Sequence, residues 1–136
     1  MTAREPGAAR RFTFRKRHRL AHAREFQAAF AAKLRKSAGP LTVFLNPTQH
    51  AEPRLGLTIG KRVGNAVARN ALKRQIREAF RHLQHDLPKP TETTAYDVVV
   101  SSRAHEPLDQ AEYQRLLAGA VQRAHREHAK RADRNA

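Results

Sequence analysis

The sequence predicts an α+β fold in which helices pack on a small mixed sheet, in the order helix, strand, strand, helix, strand, helix as a minimum, with room for an extra short strand. Three observations carry this expectation. Apolar residues recur at helical spacing in "LAHAREFQAAFAAKLRK", "NAVARNALKRQIREAFRHL" and "DQAEYQRLLAGAVQRAH". They alternate in "LTVFLNP" and "RLGLTIG", while "YDVVVSS" is a dense β-branched run of the kind that fills a buried strand. Pro, Gly and small polar residues separate these segments. At 136 residues there is room for one domain with a modest core.

The first eleven residues, "MTAREPGAARR", have no apolar periodicity and read as a disordered basic tail. A single domain is expected over 12–126, followed by a polar tail over 127–136, "EHAKRADRNA". In the first helix Phe26, Phe30 and Leu34 fall at i, i+4 and i+8, and Ser37, Gly39 and Pro40 end it. The first strand puts Leu41, Val43 and Leu45 on one face and Thr42, Phe44 and Asn46 on the other, and Pro47 stops it. The second carries Leu55, Leu57 and Ile59 on one face, and the polar connection "TQHAEP" suggests that the two strands form a hairpin. A helix spans about Asn65 to His85, "HDLPKPTETT" breaks it, and after the last strand Asp109 is placed to cap the final helix.

Composition speaks to partners. The 27 Lys and Arg against 12 Asp and Glu give a formal net charge of +15 and a pI near 11.6, so a polyanion is the leading partner. No apolar run approaches the roughly 20 residues that span a bilayer, and no secretory segment follows Met1. The absence of cysteine removes disulfides, thiolate metal sites and Cys nucleophiles, and fits a cytoplasmic location.

The charge is concentrated in "KRVGNAVARNALKRQIREAF", residues 61–80, where six Lys or Arg meet one acid, Glu78. At 100° per residue, Leu72, Ile76, Ala79, Phe80, Leu83 and Ala68 form the core face. Arg69, Lys73, Arg77, Asn70, Arg81 and Arg74 form a contiguous band beside it, and Gln75, Glu78 and His82 hold the remaining side. Arg69, Lys73, Arg77 and Arg81 are an unbroken ladder of i, i+4 like charges, each pair destabilising by a few tenths of a kcal/mol. A helix built for stability would interleave signs, so the ladder implies an external anion. Lys61 and Arg62 precede the helix, and Gly64 and Asn65 lead into a first turn whose free N–H groups favour a phosphate. Asn65 serves equally as an N-cap.

These residues carry a family resemblance. The run resembles the signature of the bacterial ribonuclease P protein subunit: a Lys/Arg pair (Lys61, Arg62), a Gly-x-Ala-Val spacer (Gly64, Ala66, Val67), Arg69-Asn70, then Lys73-Arg74, Arg77 and the aromatic Phe80. "KRHRLAHAREFQAAF" resembles the family's N-terminal approach, "RLGLTIGKRVG" its central strand and "YDVVVSSR" its last strand, so the likeness covers roughly residues 16–126. It implies a ribonuclease P protein-like fold with a left-handed strand-helix-strand crossover, where physics alone favours the right-handed form. It also implies that a large catalytic RNA, with magnesium ions, frees the 5′ leader from precursor tRNA as an endoribonuclease. This chain would bind that RNA through the basic helix, hold the single-stranded leader in a cleft between sheet and first helix, and be a monomer outside the holoenzyme. No cofactor is expected on the protein itself; Mg2+ belongs to the RNA-containing assembly.

Single-stranded RNA is held by a positive groove with aromatic faces for stacking. Phe26, Phe30 and Phe44 occupy the positions where the family keeps cleft aromatics, although Phe26 and Phe30 serve equally well as core in a chain with 6% aromatics. The family often has Tyr at the position of Phe44, so here a hydroxyl contact is lost while stacking survives. Arg17 and Arg19, within the run Arg15, Lys16, Arg17 and Arg19, match a second basic patch.

No catalytic residue is expected in this chain. The acids are scattered, with no pair at the spacing of a metal-dependent nuclease. His82 with His85, and His125 with His128, are i, i+3 pairs without an evident third ligand, so no metal site is assigned. The alternative of another class is a ribosomal or general structural RNA-binding protein with no role in tRNA processing. A helix-turn-helix DNA binder is disfavoured by the strands between the helices.

Overall fold

A computed structural model describes residues 14–135; the expected N-terminal tail over 1–11 lies outside the described residues. Helix α1 (Ala23–Ala32) is followed by strands β1 (Leu34–Ala38), β2 (Leu41–Pro47) and β3 (Arg54–Thr58), helix α2 (Ala66–Leu83), strand β4 (Tyr96–Ser102) and helix α3 (Gln110–Arg134). Short 3-10 turns over Lys16–His18 and Lys61–Val63 precede α1 and α2.

The four strands form one sheet in the order β1-β2-β4-β3. β4 takes the interior because it is apolar on both faces: Val98 and Val100 join the main core and Val99 joins a smaller cluster on the opposite side. β4 pairs antiparallel with β2, Val99 lying opposite Phe44, and parallel with β3, Val99 lying opposite Gly56. Helix α2 is the crossover that a parallel pair requires. The hairpin expected between the second and third of these strands is therefore not formed, because β4 separates β2 from β3.

The hairpin instead joins β1 to β2, with Leu34 opposite Leu45 and Gly39-Pro40 at the turn. Leu34 was expected as the third apolar position of the first helix. The helix ends at Ala32, Lys33 turns left-handed (φ 59°, ψ 30°), and Leu34 is buried on the core face of β1. An i, i+4, i+8 spacing cannot distinguish a residue that continues a helix from one that starts a strand on the same core. At the C-terminus α3 runs on to Arg134, through most of the residues expected as a polar tail. Arg131 pairs with Glu127 one turn earlier, and Arg123 Nη2 donates to Ser37 O of β1 at 2.8 Å.

The main core lies between one sheet face and helices α2 and α3, and includes Leu41, Val43, Leu45, Leu55, Phe80, Tyr113 and Leu117. Leu72, Ile76, Ala79 and Phe80 are the buried face of α2, as the wheel requires, with Leu83 packed partly against it. Ala68 departs from that expectation and is exposed, on the rim of a depression with Val63 and Leu108 where the first turn of α2 rises off the core. Asp109 caps α3 by accepting the Glu112 N–H at 2.9 Å. On the other sheet face α1 covers a small cluster of Leu20, Ala29 and Val99 with Phe26 and Phe44.

Candidate nucleic-acid interface

The first turn of α2 is set by Gly64 and Asn65. Gly64 holds φ 150° and ψ −162°, a conformation open in practice only to glycine, and it directs the chain from the Lys61–Val63 turn into the helix. Asn65 Oδ1 accepts the Ala68 N–H at 2.9 Å, so the side chain acts as the N-cap. Lys61 and Arg62 are exposed on the preceding turn, and no acidic residue lies in the first turn of the helix.

Along α2 the segregated band becomes a wall. Asn70, Lys73, Arg74, Arg77 and Arg81, with Glu78, line an open groove whose other side is Phe14 and Arg19. A second depression is lined by Phe14, Arg19, Leu20, Phe26, Gly56, Lys73 and Arg77 among others. Four residues are common to both, so they form one furrow from the basic flank of α2 to the β3 side of the sheet beneath α1.

Electrostatics sorts the cations. Arg81 Nε donates to Glu78 Oε1 at 3.0 Å, and His82 Nε2 lies 3.1 Å from the same carboxylate, so the charge of Arg81 is locally compensated. Arg69, Lys73, Arg74 and Arg77 have no carboxylate within ion-pair distance among the described residues. Burial, and then the nearby charge of Arg19, push the guanidinium of Arg77 below its usual value. Arg69 Nε is buried with no hydrogen-bond partner among the described residues. Uncompensated cations facing each other across a furrow are the electrostatic signature of a site for an anion.

Arg19 is held in place by stacking. Its guanidinium lies 5.2 Å from the centroid of the Phe14 ring, and Phe14 meets Phe80 of α2 edge-on at 5.8 Å. The adjacent Leu20 N–H donates to Leu55 O at 3.0 Å, which lays this segment along the edge of β3. Arg17 diverges: it pairs with Glu52 at 2.7 Å and does not line the furrow. Of the second basic patch, the structure brings Arg19 to the basic helix and pairs Arg17 with Glu52 on the β2–β3 connection. Phe14 was not singled out in the sequence, although an aromatic set within the basic run "RRFTFRKRHR" is the signal that points to it.

The three aromatics lie together between α1 and the sheet. Phe30 meets Phe44 edge-on at 4.8 Å and is 41% exposed, while Phe26 and Phe44 are half-buried. Phe26 packs closely on β3 because Gly56 has no side chain: a Cβ there would sit 2.6 Å from the ring. Phe26 is thus both cluster and furrow wall. Two residues along the strands from Phe44, Val99 and Gly56, the pairing aligns Ser37, Thr42, Ser101 and Thr58 into a row of hydroxyls on the same face, all at least partly exposed. That row was invisible in the sequence because it depends on the pairing of all four strands.

Neither histidine pair assembles a metal site. His82 is engaged with Glu78, and His125 Nδ1 lies 2.7 Å from Tyr96 Oη. Among the described residues no group of three or more His, Cys, Asp or Glu is arranged to hold a metal ion.

Comparison with known proteins agrees with the fold. The family model described as Ribonuclease P matches residues 14–128. The solved ribonuclease P protein of Thermotoga maritima is 27% identical, with a TM-score of 0.66 over 77% of this chain and 96% of that one. That of Staphylococcus aureus is 25% identical, with a TM-score of 0.62 over 77% of this chain and 93% of that one.

Proposed function

This chain belongs to the ribonuclease P protein family and is a protein subunit of that tRNA-processing ribonuclease; on that premise we propose that its furrow holds RNA on two sides at once. The flank of α2, through Lys61, Arg62, Asn65, Arg69, Asn70, Lys73, Arg74 and Arg77, binds the backbone of the large RNA subunit. Arg81 contributes less, because Glu78 already compensates it. The aromatic face under α1, Phe26, Phe30 and Phe44, takes the single-stranded 5′ leader of precursor tRNA, with Arg19 between the two surfaces.

The observation that carries this reading is the row of cations without carboxylate partners that shares its furrow with Phe14 and Phe26, with Phe44 in the same cluster as Phe26 and Phe30 packed on Phe44. Phosphates neutralise the cations and bases stack on the rings. Hydrolysis of the phosphodiester is assigned to the RNA subunit and its magnesium ions, and the protein acts by positioning. We place the assembly in the cytoplasm, with the free protein a monomer; no helix of the described residues is long and apolar enough to cross a membrane. None of the matches favours the ribosomal alternative.

The test is reconstitution with the catalytic RNA at low magnesium, reading release of the 5′ leader. The wild-type protein should promote release, and Phe44→Ala should weaken binding of precursor tRNA by about 5- to 100-fold, the range expected for one lost stacking contact, with mature tRNA nearly unaffected. Equal loss for both tRNAs would remove Phe44 from the leader site.

A further inference from the structure

Helix α1 forms one wall of the aromatic cleft, yet it is thinly attached. Its ten residues include one buried side chain, Ala29. What holds it is charge at both ends. At its start, Glu25 Oε1 accepts the N–H groups of Ala21 and His22, and Glu25 Oε2 takes Arg54 Nη1 at 3.0 Å. The same guanidinium grips Asp97 of β4 through Nε and Nη2 at 2.9 and 2.8 Å, and Asp97 is 2% exposed. At its end, Arg131 of α3 donates from Nη1 to Ala32 O at 2.9 Å and from Nη2 to Lys33 O at 2.7 Å. These carbonyls lie at the negative end of the helix, with no further turn whose N–H groups could donate to them.

We propose that Arg54 and Arg131 are positioning residues for leader binding: two guanidinium clasps that fix the distance of α1 from the sheet without touching RNA. The inference rests on the leader reading above. It goes beyond that reading in assigning a role to Arg131, which lies past the span matched by the family model. The physical reason is the short lever between clasp and cleft. Phe26 follows Glu25 directly, and Phe30 lies within one turn of Ala32, so releasing either end lets an aromatic wall drift from Phe44 and Gly56. Few apolar contacts remain to hold the helix in register. The α2 flank is not part of this linkage, so affinity for the large RNA should be insensitive to it.

The experiment uses the full chain and the reconstituted holoenzyme, comparing wild type, Arg131→Ala, Arg131→Lys and Val121→Ala, the last a core truncation remote from α1. Two quantities are read: amide hydrogen exchange over 23–32 in the free protein, and the ratio of affinities for precursor and mature tRNA. Arg131→Ala should speed exchange in α1 by about tenfold or more, as for loss of charged hydrogen bonds, and reduce the tRNA ratio several-fold. The salt dependence of catalytic-RNA binding should not change. Arg131→Lys, which keeps charge but cannot span two carbonyls, should fall between. Val121→Ala should lower thermal stability without a selective change in either readout. Unchanged α1 exchange in Arg131→Ala, or an equal selective change in Val121→Ala, overturns the clasp. A wild-type tRNA ratio of one refutes the leader reading instead, and the exchange data still decide whether α1 is clasped.

Discussion

Gly56→Ala is the sharpest probe of how the cleft is built. An added Cβ would lie 2.6 and 2.8 Å from two atoms of the Phe26 ring and 2.8 Å from Leu20 Cδ1. Both neighbours are side chains of the small cluster under α1, so both must move. Overpacking costs about 1–3 kcal/mol, and displacement of two side chains argues for the upper part, about 2–3 kcal/mol. Replacing Gly by Ala also returns about 0.4–1 kcal/mol by restricting the unfolded chain. The net expectation is about 1–2.5 kcal/mol of destabilisation, or a fall in Tm of roughly 4–10 °C for a chain of this length. Thermal unfolding followed by circular dichroism measures it directly. The double variant with Phe26→Leu should lose less than the sum of the single changes, because the smaller side chain makes room for the methyl. A Gly56→Ala protein as stable as wild type, or strict additivity with Phe26→Leu, would refute the close packing of ring on strand.

The remaining predictions concern charge. Arg77→Ala should flatten the dependence of log affinity for the catalytic RNA on log salt by about 0.7–0.9, one phosphate contact. Glu78→Gln should steepen it by removing the carboxylate charge that offsets Arg81; an unchanged slope in both variants would take this flank out of the RNA interface. His18 is held below its ordinary value of 6.5, first by burial and further by Arg17 and Arg15, against the opposing pull of Glu52, and its Nδ1 accepts the Arg15 N–H at 2.9 Å. A lowered value means that the unfolded chain binds the proton more readily. The neutral ring therefore supports the fold above pH 6.5, and that support is lost as pH falls through the lower folded value. Urea midpoints at pH 7.5 and 5.5 should differ less in His18→Gln than in wild type, and an identical difference would exclude His18 as the source.

The basic wall of the candidate site is legible in the sequence because one helix, α2, carries most of it. A single helix obeys one period, so the wheel separates Leu72, Ile76, Ala79 and Phe80 from Arg69, Lys73 and Arg77 without any tertiary information. The ungapped run from Lys61 to Phe80 then carried the family. Strand faces were legible for the same reason, as with Leu41, Val43 and Leu45 against Phe44. Pairing was not. Nothing local to "LTVFLNP" or "RLGLTIG" says that a strand some 40 residues later will lie between them; only the two-sided apolarity of "YDVVVSS" hints at its central place. Leu34 was misread because helix and strand can deliver an apolar side chain to the same core. Arg17 and Arg19, two residues apart in one basic run, were indistinguishable until Glu52 and Phe14 drew them to different partners.

The guanidinium groups along β1 have a consequence for how copies of the chain meet one another. A sheet of four strands has two edges, each able to template a strand from another molecule. Here the Arg19–Leu20 segment bridges to Leu55 at the β3 edge, and on the β1 side Arg123 takes the carbonyl of Ser37 while Arg131 takes that of Lys33 just before the strand. Arg35 and Lys36 add charge along the same strand. Self-association by strand addition is thus opposed by occupied backbone groups as well as by the repulsion of a net charge of +15. Salt or bound RNA that screens that charge leaves these backbone hydrogen bonds in place, so part of each edge stays engaged when the charge is neutralised.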